Sequence, residues 1–134
     1  MRSQVISLSF LFIGGGTGTM MRYAVVSALR TTSRGTHFPI GTLCVNVLGC
    51  LAIGVLWQLL AGPWSVREDV RIAIVVGLLG GFTTFSSFGL EAVQMWADGH
   101  YARTILYVLL SNLLGFAAVW LGTRCVPAST GAAA

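Results

Sequence analysis

The third long apolar segment of the chain contains the run Gly-Gly-Phe-Thr-Thr-Phe-Ser-Ser-Phe-Gly-Leu-Glu, from Gly80 to Glu91. Paired glycines and a row of hydroxyl residues are poor material for a helix interior. Glycine gives up the most backbone entropy, and Ser and Thr compete for backbone hydrogen bonds. In hydrocarbon every backbone N–H and C=O must nonetheless find a partner. A helix that breaks at membrane depth therefore has to face protein or a water-filled path. Broken membrane helices often supply ion sites, because carbonyls and helix ends are freed there. The three-residue spacing of Phe82, Phe85 and Phe88 predicts that they occupy neighbouring parts of one helix face.

Composition supports the membrane setting. Of 134 residues, 55% are hydrophobic and 9% charged, where a soluble domain carries about a quarter charged residues. The mean hydropathy is +0.82. One domain is expected at this length. The eight basic residues are all arginine and stand singly, so the net charge of +4 forms no patch for nucleic acid. Cys44, Cys50 and Cys125 fall in apolar segments and read as small packing residues rather than a disulfide framework. His37 and His100 fall in predicted loops and are expected to be exposed. No Ser/His/Asp set, paired carboxylates or metal-spaced Cys/His cluster occurs. Enzyme function has no support.

Four segments are long enough to cross about 30 Å of hydrocarbon, which takes roughly 20 residues each. They cover about 3–29, 39–60, 70–97 and 101–125. Pro39 suits a first helical position. The predicted fold is an all-α integral membrane domain over residues 1–126, with its third helix broken at mid-membrane and a disordered tail at 127–134. The first segment continues past Gly14-Gly15-Gly16 and is expected to be a retained helix rather than a cleaved signal peptide.

Short loops predict an up-down-up-down arrangement. One side then holds Arg2, Arg67, Arg71 and Arg124, and the other holds Arg30, Arg34 and Arg103, with Arg22 near the same end. The K/R excess that normally sets orientation is almost absent. Either a few well-placed arginines fix one orientation, or the chain inserts both ways and pairs as an antiparallel dimer. Small residues at Gly15 and Thr19, Cys50 and Gly54, Gly77 and Gly81, and Gly115 and Gly122 let helices approach closely. They serve an oligomer or tight packing within one subunit.

The intramembrane polar residues are the candidate functional set. Arg22 either snorkels to the interface or stands at the mouth of an anion path. Thr42, Asn46 and Gly49 share a helix face. The Asn46 amide either bonds across helices or donates to a permeating anion. Tyr107 and Ser111 lie four apart on one face with Gly115 next in line, a possible polar track, and Asn112 beside them is expected to pack against another helix. At the break, carbonyls near Gly80 and Thr83 suit a hard cation, which prefers oxygen ligands. Two copies meeting there would share one site on a two-fold axis. Ser86 and Ser87 continue as donors. Phe85 and Phe88 read as core or lipid-facing rings, or as ring edges that stabilise a small anion weakly. Glu91 is placed to cap polar groups, pair with an arginine, or carry protons.

The order of motifs resembles the Fluc (CrcB) family of fluoride channels. These are Gly-Gly-X-Gly followed by Arg22-Tyr23, Pro39-X-Gly-Thr-Leu-X-Val-Asn46, and Gly80-Gly-Phe-Thr-Thr-Phe-Ser-Ser-Phe-X-X-Glu91. The likeness covers nearly the whole chain. It implies an antiparallel, dual-topology homodimer in the bacterial inner membrane that exports fluoride passively through two pores, each lined by both subunits. By the same resemblance, Phe85 and Phe88 line the pores with Asn46, Thr42, Tyr107 and Ser111. Main-chain carbonyls of Gly80 and Thr83 hold a central sodium ion, and Arg22 and Glu91 match the family's helix-one arginine and helix-three glutamate. Some members carry a further hydroxyl one turn past the Ser111 position, where this sequence has Gly115. The track must then be shorter there, or water must fill the gap. The expected partners are a second copy, fluoride and lipid. A proton-coupled small-substrate exporter using Glu91, and a purely structural membrane subunit, are the other function classes the residues leave open.

Overall fold

A computed structural model describes residues 2–30, 38–61 and 66–126. The predicted tail from 127, together with Arg34 and His37, lies outside the described residues. The architecture is α1 (Arg2–Arg30), α2 (Ile40–Ala61), a composite third helix, and α6 (Tyr101–Cys125). The third helix consists of α3 (Glu68–Ile72), a π-helical segment (Ala73–Leu79), α4 (Gly80–Phe82) and α5 (Phe85–Ala97). Four helical spans are long and apolar enough to cross a membrane. The third of them is interrupted as the sequence predicts.

The four helices pack as two parallel pairs. The first half of the third helix lies on α1, and α2 lies on α6. Glycines make both contacts close. A Cβ placed on Gly81 would strike the carbonyl oxygen of Gly15, and one on Gly122 would strike that of Leu51. The small residues Gly77, Gly81, Gly54 and Gly122 are thus used within one subunit. Without a hydrophobic drive between helices in lipid, close backbone approach is what association requires.

The π-helical segment lies at the same contact. A Cβ on Gly14 would lie 2.6 Å from the carbonyl oxygen of Ala73 and 3.2 Å from the nitrogen of Leu78. Those two atoms are five residues apart, the spacing a π-turn pairs. Near the same end of the bundle, Ser7 Oγ donates to Asp69 Oδ1 at 2.6 Å, tying the start of α1 to the start of the third helix.

The sequence reading needs correction here. The glycine pair does not break the helix. Gly80 has helical dihedrals (φ −63°, ψ −35°), and the chain leaves the helix at Thr83 and Thr84, both extended. Gly81 packs on α1, so its lack of a side chain serves contact rather than a bend. The offset also overturns the single phenylalanine face. Phe82 is buried before the break. Phe85 and Phe88 follow it on a half-helix that packs on α6 instead of α1.

α5 ends in a Schellman motif, in which Gly99 N donates to Trp96 O and His100 N to Met95 O, with Gly99 at φ +79°. That turn holds His100 half-buried rather than exposed. Exposed aromatics mark both ends of the bundle: Trp57 and Trp120 at one, Tyr23, Trp96 and Tyr101 at the other. Arg124 lies over the Trp120 ring at 5.2 Å. Two such girdles are the pattern of a protein seated between two water–lipid interfaces.

Candidate functional site

Leaving the helix at Thr83 and Thr84 exposes backbone groups that must be satisfied inside the membrane. α2 supplies the answer. Thr84 N donates to Asn46 Oδ1 at 2.9 Å, and Asn46 Nδ2 donates to Thr84 O at 3.1 Å. One side-chain amide thereby replaces both neighbours that the Thr84 peptide groups would have had in a continuous helix. The interhelical role considered for Asn46 is realised within the subunit.

Thr84 then restarts the helix. It stands at the N-cap of α5, and its Oγ1 accepts from Ser87 N at 3.2 Å. The same hydroxyl donates to Ser87 Oγ at 3.0 Å and lies 3.4 Å from Ser86 Oγ. Thr84 is buried, Ser87 half-buried and Ser86 exposed. The sequence reading passed over Thr84 in favour of the serines. A hydroxyl residue just ahead of a helix, with partners in the following turn, was the available signal.

A second polar station lies further along α5. Glu91 accepts from Thr42 Oγ1 at 2.7 Å on one carboxylate oxygen and from Tyr107 Oη at 2.8 Å on the other. Thr42 and Tyr107 are buried, Tyr107 completely. Among the described residues the ion pairs are Arg67–Asp69 and Arg71–Glu68, and neither involves Glu91. Thr42 and Asn46, read as one face, are thus divided between two stations. Tyr107 is turned to Glu91.

The Tyr107 ring also anchors an aromatic cluster. Phe88 packs on it with centroids 5.2 Å apart, Phe38 meets it edge-on at 5.5 Å, and Phe85 lies 5.6 Å from Phe88. Phe85 is 83% exposed. A ring so placed presents its edge and face to whatever occupies the adjoining space.

That space is a cavity of about 380 Å³ beside the break. Asn46, Thr83, Thr84, Phe85, Phe88 and Ser111 all line it. The Ser111 hydroxyl oxygen is fully buried and has no hydrogen-bond partner. Asn112, expected to pack across helices, is exposed and donates to Val108 O of its own helix at 2.8 Å. Gly80 reaches the cavity from an exposed position. Arg22 is half-buried on α1 and is not part of the lining. A larger groove of about 490 Å³ runs between Ile53, Trp57 and the π-helical segment, but its polar lining is the Glu68–Arg71 pair at one end. The smaller cavity is the candidate site, because polar groups converge on it.

The sequence matches the family described as CrcB-like protein, Camphor Resistance (CrcB), over residues 9–123. It is 40% identical over 116 residues to a protein of Phocaeicola vulgatus named Fluoride-specific ion channel FluC, covering 87% of this chain and 94% of that one. Proteins of the same name from Solibacter usitatus and Azobacteroides pseudotrichonymphae are each 46% identical, over 110 and 111 residues. Each of these two matches covers 82% of this chain, and they cover 89% and 87% of the respective relatives. The relatives carry the name of a channel and not of an enzyme. A four-span helical bundle with a broken third helix, matched over nearly its full length, belongs to the CrcB (FluC) family.

Proposed function

We propose that this protein is a fluoride-selective channel that lets fluoride leave the cell passively across the bacterial inner membrane. The observation that carries the reading is the cavity at the break. There Ser111, Asn46 and the rings of Phe85 and Phe88 line a space large enough for an ion, and the Ser111 hydroxyl oxygen, buried behind that lining, has no partner. Fluoride is small and strongly hydrated, so a path for it must replace water with closely spaced donors. It must also release the ion, so no station can bind too tightly. Hydroxyls, an amide and ring edges meet both requirements better than fixed charge. The names of the relatives point to the same ion.

The cavity is open on the outside of the subunit, where Phe85 and Gly80 are exposed. We assign its outer wall to a second copy, in an antiparallel dimer with two such paths. The balanced arginine distribution supports insertion in both orientations.

A structural sodium ion fits the break. The last carbonyls of a helix have no intrahelical partner. Here the N–H that would have met Gly80 O is given to Asn46 instead. Main-chain oxygens of Gly80 and Thr83, contributed by both copies, would hold such an ion. It would pin the two breaks together.

The competing assignment is a proton-coupled exporter working through Glu91. The two separate in a voltage-clamped bilayer. A fluoride channel reverses its current at the fluoride equilibrium potential, whatever the pH difference across the bilayer. A coupled exporter shifts its reversal with the pH difference, and that result would overturn the proposal.

A further inference from the structure

A second space opens on the seam that holds the cavity, one helical turn away. Asn46 of α2 and Phe88 of α5 line the cavity. Thr42, four residues before Asn46, and Glu91, three after Phe88, line a smaller pocket of about 100 Å³ together with Val26, Arg30, Pro39 and Gly41. Those steps keep each residue on its helix face. The pocket therefore lies beyond the cavity, toward the end of the bundle where α1 stops and α2 starts. Gly41 lets the two helices meet there, since a Cβ on it would lie 3.1 Å from Val26 Cα. Arg30 stands one turn past Val26 on the same face of α1, in its last turn. The charges around this pocket are not paired with each other. Both carboxylate oxygens of Glu91 accept hydroxyls, from Thr42 and Tyr107. Arg30 is exposed, and among the described residues its side chain forms neither an ion pair nor a hydrogen bond.

We propose that this pocket is a mouth of the anion path and that Arg30 is its steering residue, a fixed positive charge that offsets Glu91 and gathers fluoride at the entrance. The inference rests on the channel reading of the cavity. A carboxylate on the α5 wall repels an entering anion. A guanidinium on the α1 wall stays charged at any working pH and counters that field. Steering acts through space and needs no fixed contact, which suits an exposed side chain at the end of a membrane helix. It also leaves the deeper stations free of tight binding, as release of the ion requires. One unit charge acting through water over several ångströms is worth about a threefold change in anion entry. Salt screens that effect over about 8–10 Å.

The test is single-channel fluoride current in planar bilayers holding the full chain, with fluoride fixed at a low concentration. Ionic strength is raised with the potassium salt of a bulky organic anion, and gel filtration follows dimer recovery for each variant. Fluoride current from the unchanged protein is the first reading, and its absence would refute the channel assignment itself. With that current present, Arg30→Gln is expected to lower it about threefold at low ionic strength, and Arg30→Glu about tenfold. Arg30→Lys, which keeps the charge, should recover the current. The differences should shrink toward none at high ionic strength. Equal currents in the Gln, Glu and unchanged proteins would overturn the proposal. So would a loss that does not follow charge, or one that persists undiminished in high salt, because either marks a packing or helix-end role. Should Arg30→Glu fail to form dimers, the Gln and Lys variants carry the same comparison across the two ionic strengths.

Discussion

Asn46 holds both peptide groups of Thr84, accepting from its N–H at 2.9 Å and donating to its carbonyl at 3.1 Å. This pair lets a helix open inside a membrane without leaving either group orphaned. It also fixes where the cavity forms, because Thr84 carries the restart of α5. Asn46→Ala would strand a buried donor and acceptor, each costing about 1–3 kcal/mol. The expected result is a large loss of thermal stability in detergent. Asn46→Asp keeps the acceptor but turns an anionic oxygen toward the Thr84 carbonyl. It should lose stability as well, and a variant as stable as the unchanged protein would contradict the bridging role.

The glycines separate into two classes. Gly81→Ala would press a methyl group into the Gly15 backbone, which cannot move aside as a flexible side chain can. Overpacking of this kind costs about 1–3 kcal/mol. Gly89→Ala meets nothing within 4 Å, and in the interior of α5 it should gain up to about 1 kcal/mol of helix propensity. Thermal unfolding of the two variants, measured side by side, should move in opposite directions.

Glu91 receives two hydroxyls from different helices, Thr42 on α2 and Tyr107 on α6. Tyr107→Phe and Thr42→Val each remove one donor and leave a carboxylate oxygen without it. Each single variant is expected to lose about 1–3 kcal/mol. Because both act on one carboxylate, their effects should not add. A double variant whose loss equals the sum of the two would show that the two hydrogen bonds are independent.

Phe85 and Phe88 are one turn apart yet differ in burial. Phe85→Ile removes an exposed ring whose ring contact is Phe88, at 5.6 Å, and should cost less stability than Phe88→Ile. Phe88→Ile gives up its contact with the Tyr107 ring, worth about 0.5–1.5 kcal/mol. Both are expected to slow fluoride flux by an order of magnitude or more while dimers still form. Unchanged flux in either variant would remove that ring from the path.

The four spans were legible because a membrane helix is written in long apolar runs, and a break is written in residues that oppose helices. The place of the break was less so. Gly80 and Gly81 look like the interruption, but their neighbours on α1 are what glycine is needed for, and that contact joins residues some 66 apart, as Gly15 and Gly81 show. The π-helical segment Ala73–Leu79 has no signature of its own in an apolar stretch. It lies where Gly14 of α1 packs against the backbone of Ala73 and Leu78. At the site, Asn46, Ser111 and the phenylalanines could be named from their types and spacing. The division of Thr42 and Tyr107 toward Glu91 could not, because it depends on how three helices rotate against each other. Thr84 was readable as a helix cap but was masked by the serines that follow it.

The central claim is selective passive movement of fluoride, and it is tested most directly by anion efflux. Liposomes holding the purified protein would be loaded with potassium fluoride or potassium chloride, and valinomycin would release the potassium. Ion-selective electrodes would follow each anion. Rapid fluoride loss with negligible chloride loss is the predicted result. Equal loss of both anions, or no fluoride loss from intact reconstituted protein, would contradict the account.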